Sequence, residues 1–149
     1  MAHVCPIDGN KVNKPAVRIV AAWVVLISVA GIATQSFIPF VFLMYDFFVR
    51  GFLNRNGSLL RWLAINIVNV LDIQPQLIDN APKRFAAKIG FIFSAILVVL
   101  ALLNIWIPFF IVGGILVSCA ILESVFSYCV GCEVFALLVR FNLIPVASK

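Results

Sequence analysis

Charge is scarce in this sequence. Only 11% of its 149 residues are charged and six are acidic, whereas 64% are hydrophobic. Soluble domains carry about 25% charged and 45–50% apolar residues, and a domain of this length buries only about two thirds of its surface. The shortage of charge therefore excludes an ordinary soluble domain and favours a protein whose solvent is lipid.

The start of the sequence also lacks the pattern of a cleavable signal. The first 16 residues are polar and show no short apolar run followed by small residues, so we expect the first hydrophobic segment to be retained. The net charge is +5, but the basic residues lie at the ends of apolar segments, as membrane topology requires. This distribution argues against nucleic acid as a partner and for the lipid bilayer.

Four apolar segments predict an all-α integral membrane four-helix bundle, a single transmembrane domain over residues 1–149. The predicted spans cover residues 17–33, 37–52, 85–103 and 107–127. Two shorter amphipathic segments, 58–71 and 130–141, are predicted to lie at the membrane interface. Unbroken helix over 107–141 would measure about 50 Å, so we expect a break, and Gly131 is its predicted position.

The distribution of Lys and Arg predicts the orientation. The two hairpin turns, residues 34–36 and 104–108, contain neither residue type, whereas the N-terminal arm, the central stretch and the C-terminal tail contain all 11. The positive-inside rule therefore predicts that both termini and the central stretch are cytoplasmic.

Three of the four cysteines are predicted to lie at this cytoplasmic surface. Cys129 and Cys132 are three residues apart, a spacing that allows a disulfide or the binding of a soft metal. Cys5 supplies a third thiol that can attack or resolve the disulfide, which would be transient in a reducing cytoplasm. Cys119 falls within a predicted span and is interpreted as a packing residue.

The same thiols allow a metal site in place of a redox relay. The ligands for zinc or iron would be Cys5, Cys129 and Cys132, with Asp8, His3 or Glu133 as the fourth. Simple packing of the cysteines is a further alternative. The sequence therefore leaves the cofactor open.

Two carboxylates lie inside predicted spans, where a charge is costly without a partner. Asp46 precedes Arg50 by four residues, and an i,i+4 ion pair is expected. For Glu123 the expected partners are Arg18 and Arg84. Glu123 is interpreted either as a proton acceptor near the thiols or as half of an ion pair that fixes helix packing.

The basic segment 82–88 (PKRFAAK) precedes the third predicted span. Its simplest interpretation is a cytoplasmic anchor for that span. A positive pocket for an anionic ligand or lipid head group is the alternative.

Several of these motifs form an ordered set. The set is Cys5-Pro6-Ile7-Asp8-Gly9, Arg18, Pro82-Lys83-Arg84-Phe85-Ala86 with Gly90, Glu123, and Cys129-Val130-Gly131-Cys132. It resembles the bacterial domain-of-unknown-function family 4395 over nearly the whole chain. The resemblance implies a small multi-pass protein of the bacterial inner membrane, with thioredoxin-like or sulfurtransferase partners. It implies no established catalytic residue.

Together these features predict a thiol-dependent redox or sulfur-handling membrane protein that acts at the cytoplasmic face. Cys129 and Cys132 would be the reactive pair, Cys5 the third thiol and Glu123 the nearby charge. One alternative is a non-enzymatic subunit of a larger membrane complex, whose cysteines hold a structural metal or only pack. The other is a small sulfur-anion transporter.

Overall fold

A computed structural model of the chain describes residues 11–53, 58–74, 76–79 and 81–143. Cys5, Asp8 and His3 lie outside the described residues. The helices are α1 Lys14–Thr34, α2 Ile38–Phe52, α3 Leu59–Val70, α4 Ala81–Leu102, α5 Trp106–Phe126 and α6 Val130–Arg140. The all-α prediction is confirmed, with one small addition: strands β1 (Lys11–Asn13) and β2 (Leu77–Asp79) pair antiparallel.

Three of these helices, α1, α4 and α5, have the length and composition to cross a bilayer. Each provides 21 apolar-rich residues, about 31 Å of helix at 1.5 Å per residue, which matches a hydrocarbon core of about 30 Å. Only 22–33% of the residues in their apolar segments are buried inside the protein. Because so much exposed apolar surface requires a non-aqueous solvent, the chain is a membrane protein.

Helix α2 has 15 residues, about 22 Å, and is shorter than the other three long helices. It packs along α4 and also against α1, and α5 packs along α1 and α4. Phe40 and Leu43 of α2 are completely buried, as are Leu97 of α4 and Phe109 of α5. The four helices therefore share one core, although the length criterion supports only three of the four predicted spans.

Short turns connect the helices in antiparallel pairs. Gln35 ends α1 in the left-handed conformation with φ 50°, and Asn104 follows α4 with φ 56°. Because the α1–α2 and α4–α5 connections are so short, α1 and α4 begin at the same end of the bundle at which α2 and α5 finish. We call this the basic end, since Lys14, Arg50 and Lys83 lie there.

Helix α3 packs against α1 and has one buried and one exposed side. One side buries Leu60, Ala64 and Val68, whereas Trp62 and Val70 are 63% and 84% exposed. The helix is too short to cross a bilayer, and its exposed apolar side suits the interface, as its sequence predicts.

Candidate thiol site and adjoining cavity

The thiol pair lies at the start of α6. Helix α5 ends at Phe126 because Ser127 adopts the left-handed conformation with φ 55°, and α6 begins at Val130. Cys129 occupies the N-cap position in an extended conformation. The predicted bounds, 107–127 and 130–141, agree with this break to within one residue. Gly131 as the residue that makes the break is wrong, because the chain leaves the helix at Ser127 and Gly131 belongs to the first turn of α6.

A disulfide joins Cys129 and Cys132, whose Cα atoms are 5.1 Å apart. The backbone N–H of Cys132 donates to Cys129 Sγ at 3.3 Å, the usual geometry of a side-chain helix cap. Cys129 is only 9% exposed, whereas Cys132 is half-buried. Of the two cysteines, Cys132 is therefore the more exposed residue.

Gly131 allows α6 to approach α4. A Cβ atom at this position would lie 2.7 Å from Ala86 Cβ and 2.9 Å from Ala86 Cα, distances at which real Cβ atoms are not found. Because Gly131 has no Cβ atom and Ala86 carries only a methyl group, the first turn of α6, and with it the disulfide, can pack directly on the first turns of α4.

Glu123 forms an ion pair with Lys83, a residue of the basic segment that is predicted to anchor the third span. Lys83 Nζ lies 2.5 Å from Glu123 Oε1, and the two side chains are 19% and 24% exposed. The predicted partners Arg18 and Arg84 are wrong for this reason. Arg18 instead donates to the carbonyl oxygens of Ser124 and Val125 at 3.0 and 3.2 Å. It thereby satisfies acceptors that the last turn of α5 leaves open.

The predicted ion pair between Asp46 and Arg50 is confirmed, with Arg50 Nε 2.8 Å from Asp46 Oδ2. Asp46 is only 2% exposed, and Ser58 Oγ donates to its Oδ1 at 2.5 Å. The same hydroxyl accepts from the backbone N–H of Arg61, so Ser58 caps α3. This network ties the start of α3 to the end of α2. A serine before an apolar helical run signals a cap, but its contact with Asp46 has no sequence signal.

A cavity of about 400 Å³ extends from the basic end into the bundle. Its deeper walls are apolar, with Val24 from α1, Phe93 from α4 and Leu116 from α5. Towards the basic end it is lined by a group that we call the mouth: Arg50, Arg61, Lys83, Arg84 and Glu123.

The thiol site borders this cavity. Cys129 and Gly131 are lining residues, and so is the free thiol of Cys119, whereas Cys132 is not. Of the two disulfide-bonded residues, only Cys129 lines the cavity.

The described ranges contain no group of three or more His, Cys, Asp or Glu side chains arranged to hold a metal ion. Because Cys5 and Asp8 lie outside these ranges, the predicted zinc or iron site and the three-thiol relay both stay predictions. In the described part of the chain, Cys129 and Cys132 are joined to each other and Glu123 is paired with a lysine.

Comparison with known proteins identifies one match. A family model described as a domain of unknown function (DUF4395) matches residues 12–140. No curated protein and no solved structure matches the chain.

Proposed function

The chain belongs to the DUF4395 family, and we propose that it is a membrane-embedded thiol–disulfide exchange protein that uses Cys129 and Cys132. The observation that carries the proposal is the unequal exposure of the two cysteine residues. Cys132 is the more accessible, whereas Cys129 is buried and accepts a backbone N–H. This asymmetry suits a reaction in which one sulfur is attacked and the other leaves.

The exchange follows from this geometry. A thiolate of a partner dithiol attacks Cys132 Sγ, so that a mixed disulfide forms and the Cys129–Cys132 bond breaks. The electron pair leaves on Cys129 Sγ, where the N–H of Cys132 stabilises the negative charge. The second thiolate of the partner then attacks the partner's own sulfur in the mixed disulfide and releases Cys132. The partner becomes a disulfide, and Cys129 and Cys132 become a dithiol.

Lys83 and Glu123 supply charge in the cavity that Cys129 also lines. The ammonium group of Lys83 and the carboxylate of Glu123 form an ion pair. Glu123 is a candidate to accept or return the thiol proton, and Lys83 holds it in place. Cys5, which the sequence predicts to lie on the same side, is the candidate for a third, resolving thiol.

The proposed setting is the bacterial inner membrane, with α2 as a fourth span and the basic end in the cytoplasm. The absence of Lys and Arg from both hairpin turns supports this orientation. A thioredoxin-like or sulfur-carrying protein would then reach Cys132 from the cytoplasm. If a membrane-impermeant maleimide labels reduced Cys132 in intact cells but not in inverted vesicles, the orientation is the reverse.

Trapping of the mixed disulfide tests the chemistry. The reduced protein is mixed with a thioredoxin-fold protein in its disulfide form, and the amount of disulfide-linked complex is measured by mass spectrometry. We expect Cys129→Ser to accumulate the complex through Cys132, because the resolving thiol is missing. Cys132→Ser should accumulate far less, since Cys129 is buried. Cys119→Ser is the matched control and should behave as the unmodified protein.

Two results would contradict the proposal. Equal trapping by Cys129→Ser and Cys132→Ser would remove the assigned difference between the sulfurs. Stoichiometric zinc or iron in the purified protein, lost in Cys132→Ser, would instead support the metal-binding alternative.

A further inference from the structure

The thiol pair has two different surroundings. Cys129 lines the cavity and is only 9% exposed, whereas Cys132 does not line it and is half-buried. A partner in water therefore meets Cys132 more readily, and a molecule held in the cavity meets Cys129. The pair is thus placed to react with one partner from water and another from within the bundle.

The cavity suits a ligand that is dissolved in the bilayer. Its walls come largely from α1, α4 and α5, the three helices that can cross a membrane. In α4, Lys83 at the mouth and Phe93 on the deeper wall are ten residues apart, about 15 Å along the helix, which is half of a hydrocarbon core of about 30 Å. The volume of about 400 Å³ lies within the range of roughly 300–1,000 Å³ that holds small organic ligands.

Two cations at the mouth are already balanced, Lys83 by Glu123 and Arg50 by Asp46. Two lining residues nevertheless carry a buried atom with an unmet hydrogen bond. Within the described part of the chain, Arg50 Nη2 has no acceptor and Asn13 Oδ1 has no donor. An unmet buried group is costly. A neutral ligand with carbonyl oxygens in one state and hydroxyl groups in the other can complement both residues.

We propose that the cavity binds a lipid-soluble quinone, which takes up the electrons that Cys129 and Cys132 receive from the partner dithiol. This inference rests on the proposed function, because exchange leaves the pair as a dithiol and a second cycle needs a two-electron acceptor. A quinone is such an acceptor, is neutral and dissolves in the bilayer. Its carbonyl oxygens accept hydrogen bonds and become hydroxyl groups on reduction.

The reaction balances with Cys129 as the attacking residue. Its thiolate adds to a ring carbon of the quinone, so that a carbon–sulfur bond forms and an electron pair moves to a carbonyl oxygen. The thiolate of Cys132 then attacks Cys129 Sγ, the disulfide forms, and the carbon–sulfur bond breaks with its electron pair on the ring. The two thiol protons end on the two ring oxygens. The dithiol is oxidised to the disulfide and the quinone is reduced to the hydroquinone.

Reduction of a quinone by the reduced protein tests the inference without any partner protein. The complete chain in nanodiscs of phosphatidylcholine is reduced with dithiothreitol and freed of it. It is then mixed with a decyl benzoquinone whose ring carries no hydrogen, so that no stable thioether forms. Ultraviolet absorbance follows the quinone, and alkylation with mass spectrometry follows the thiols. We expect one hydroquinone for each Cys129–Cys132 disulfide formed, and none from Cys129→Ser or Cys132→Ser.

Two alanines of α1 test the location. Ala21 lines the cavity and is 5% exposed, whereas Ala30 is exposed and does not line it. Ala21→Phe adds a ring to the cavity wall and should slow quinone reduction several-fold. Ala30→Phe is the matched control and should leave the rate unchanged. Both variants should still exchange with a thioredoxin-fold dithiol when no quinone is present, which shows that Ala21→Phe keeps a folded thiol site.

The quinone site and the thiol exchange can fail separately. Exchange with the partner dithiol but no reduction of the quinone would overturn the quinone site and leave the proposed function standing. Equal rates of quinone reduction in Ala21→Phe and Ala30→Phe would overturn its location in the cavity. Quinone reduction without exchange with the thioredoxin-fold protein would support the site, and only the protein partner would be wrong.

Discussion

Gly131→Ala is the substitution that most directly tests how the disulfide is positioned. The added Cβ would lie 2.7 Å from Ala86 Cβ and 2.9 Å from Ala86 Cα. Both neighbouring atoms belong to a short residue within α4, so no flexible side-chain end can swing away. Helix α6 must therefore move outward or α4 must shift.

The magnitude follows from two opposing terms. Overpacking by one methyl group costs about 1–3 kcal/mol, while replacement of a helical glycine by alanine gains about 1 kcal/mol. The net change in the free energy of unfolding is then a loss of about 0–2 kcal/mol. A double-mutant cycle with Ala86→Gly removes the propensity terms and the contact with Ala86 Cβ, but it leaves the contact with the Cα atom at 2.9 Å. The remaining coupling should therefore favour the double variant by less than the full overpacking cost of about 1–3 kcal/mol.

Gly114→Ala is the matched control, since a Cβ at that position meets nothing within 4 Å. It should show only the propensity gain. The free energies come from SDS titration in mixed micelles. A second measurement is the rate at which a maleimide alkylates reduced Cys129, which should rise in Gly131→Ala because outward movement of α6 opens the buried sulfur.

The reasoning is refuted if Gly131→Ala is as stable as Gly114→Ala. That result would mean that α6 does not rest on α4 at this contact. If stability falls as expected but the alkylation rate at Cys129 is unchanged, the Gly131 contact stabilises the fold without controlling access to this thiol.

The remaining predictions concern the two ion pairs and are measured by the same titration. Glu123→Gln leaves the half-buried Lys83 ammonium without its carboxylate and should cost about 1–2 kcal/mol, less than a fully buried pair because water screens both groups. Adding Lys83→Met should restore most of this loss. Asp46→Asn should cost about 3 kcal/mol, because Asp46 is 2% exposed and Arg50 loses its partner. Ser58→Ala should cost about 1–2 kcal/mol through the lost cap and hydrogen bond. A loss for Asp46→Asn no larger than that for Glu123→Gln would contradict the role assigned to burial.

Helix positions were largely predictable because apolar run length and turn residues determine them. The largest difference is at the start of α4, which begins at Ala81 where the pattern predicts residue 85. The predicted span omits a first turn that contains Lys83 and Arg84, since basic residues are expected to lie outside the membrane. A helix continues through such residues as long as its backbone bonds are made, so hydropathy underestimates its length.

The partner of Glu123 could not be predicted because it depends on how α4 is rotated against α5. Successive residues in a helix point about 100° apart. Lys83 and Arg84 are adjacent and both basic, so the sequence offers two cations and no means to choose between their directions. In the fold, Lys83 contacts Glu123, and Arg84 lines the cavity mouth. The same rotation decides which of the two basic residues pairs with Glu123.

The length of the apolar run predicts a break before α6, but the residue that makes it could not be predicted from residue type. Glycine favours a positive φ, but a serine adopts it here, at φ 55°. Gly131 serves another requirement, the close approach to Ala86. A glycine in a sequence signals a special need for space or for backbone freedom, and only packing tells which of the two applies.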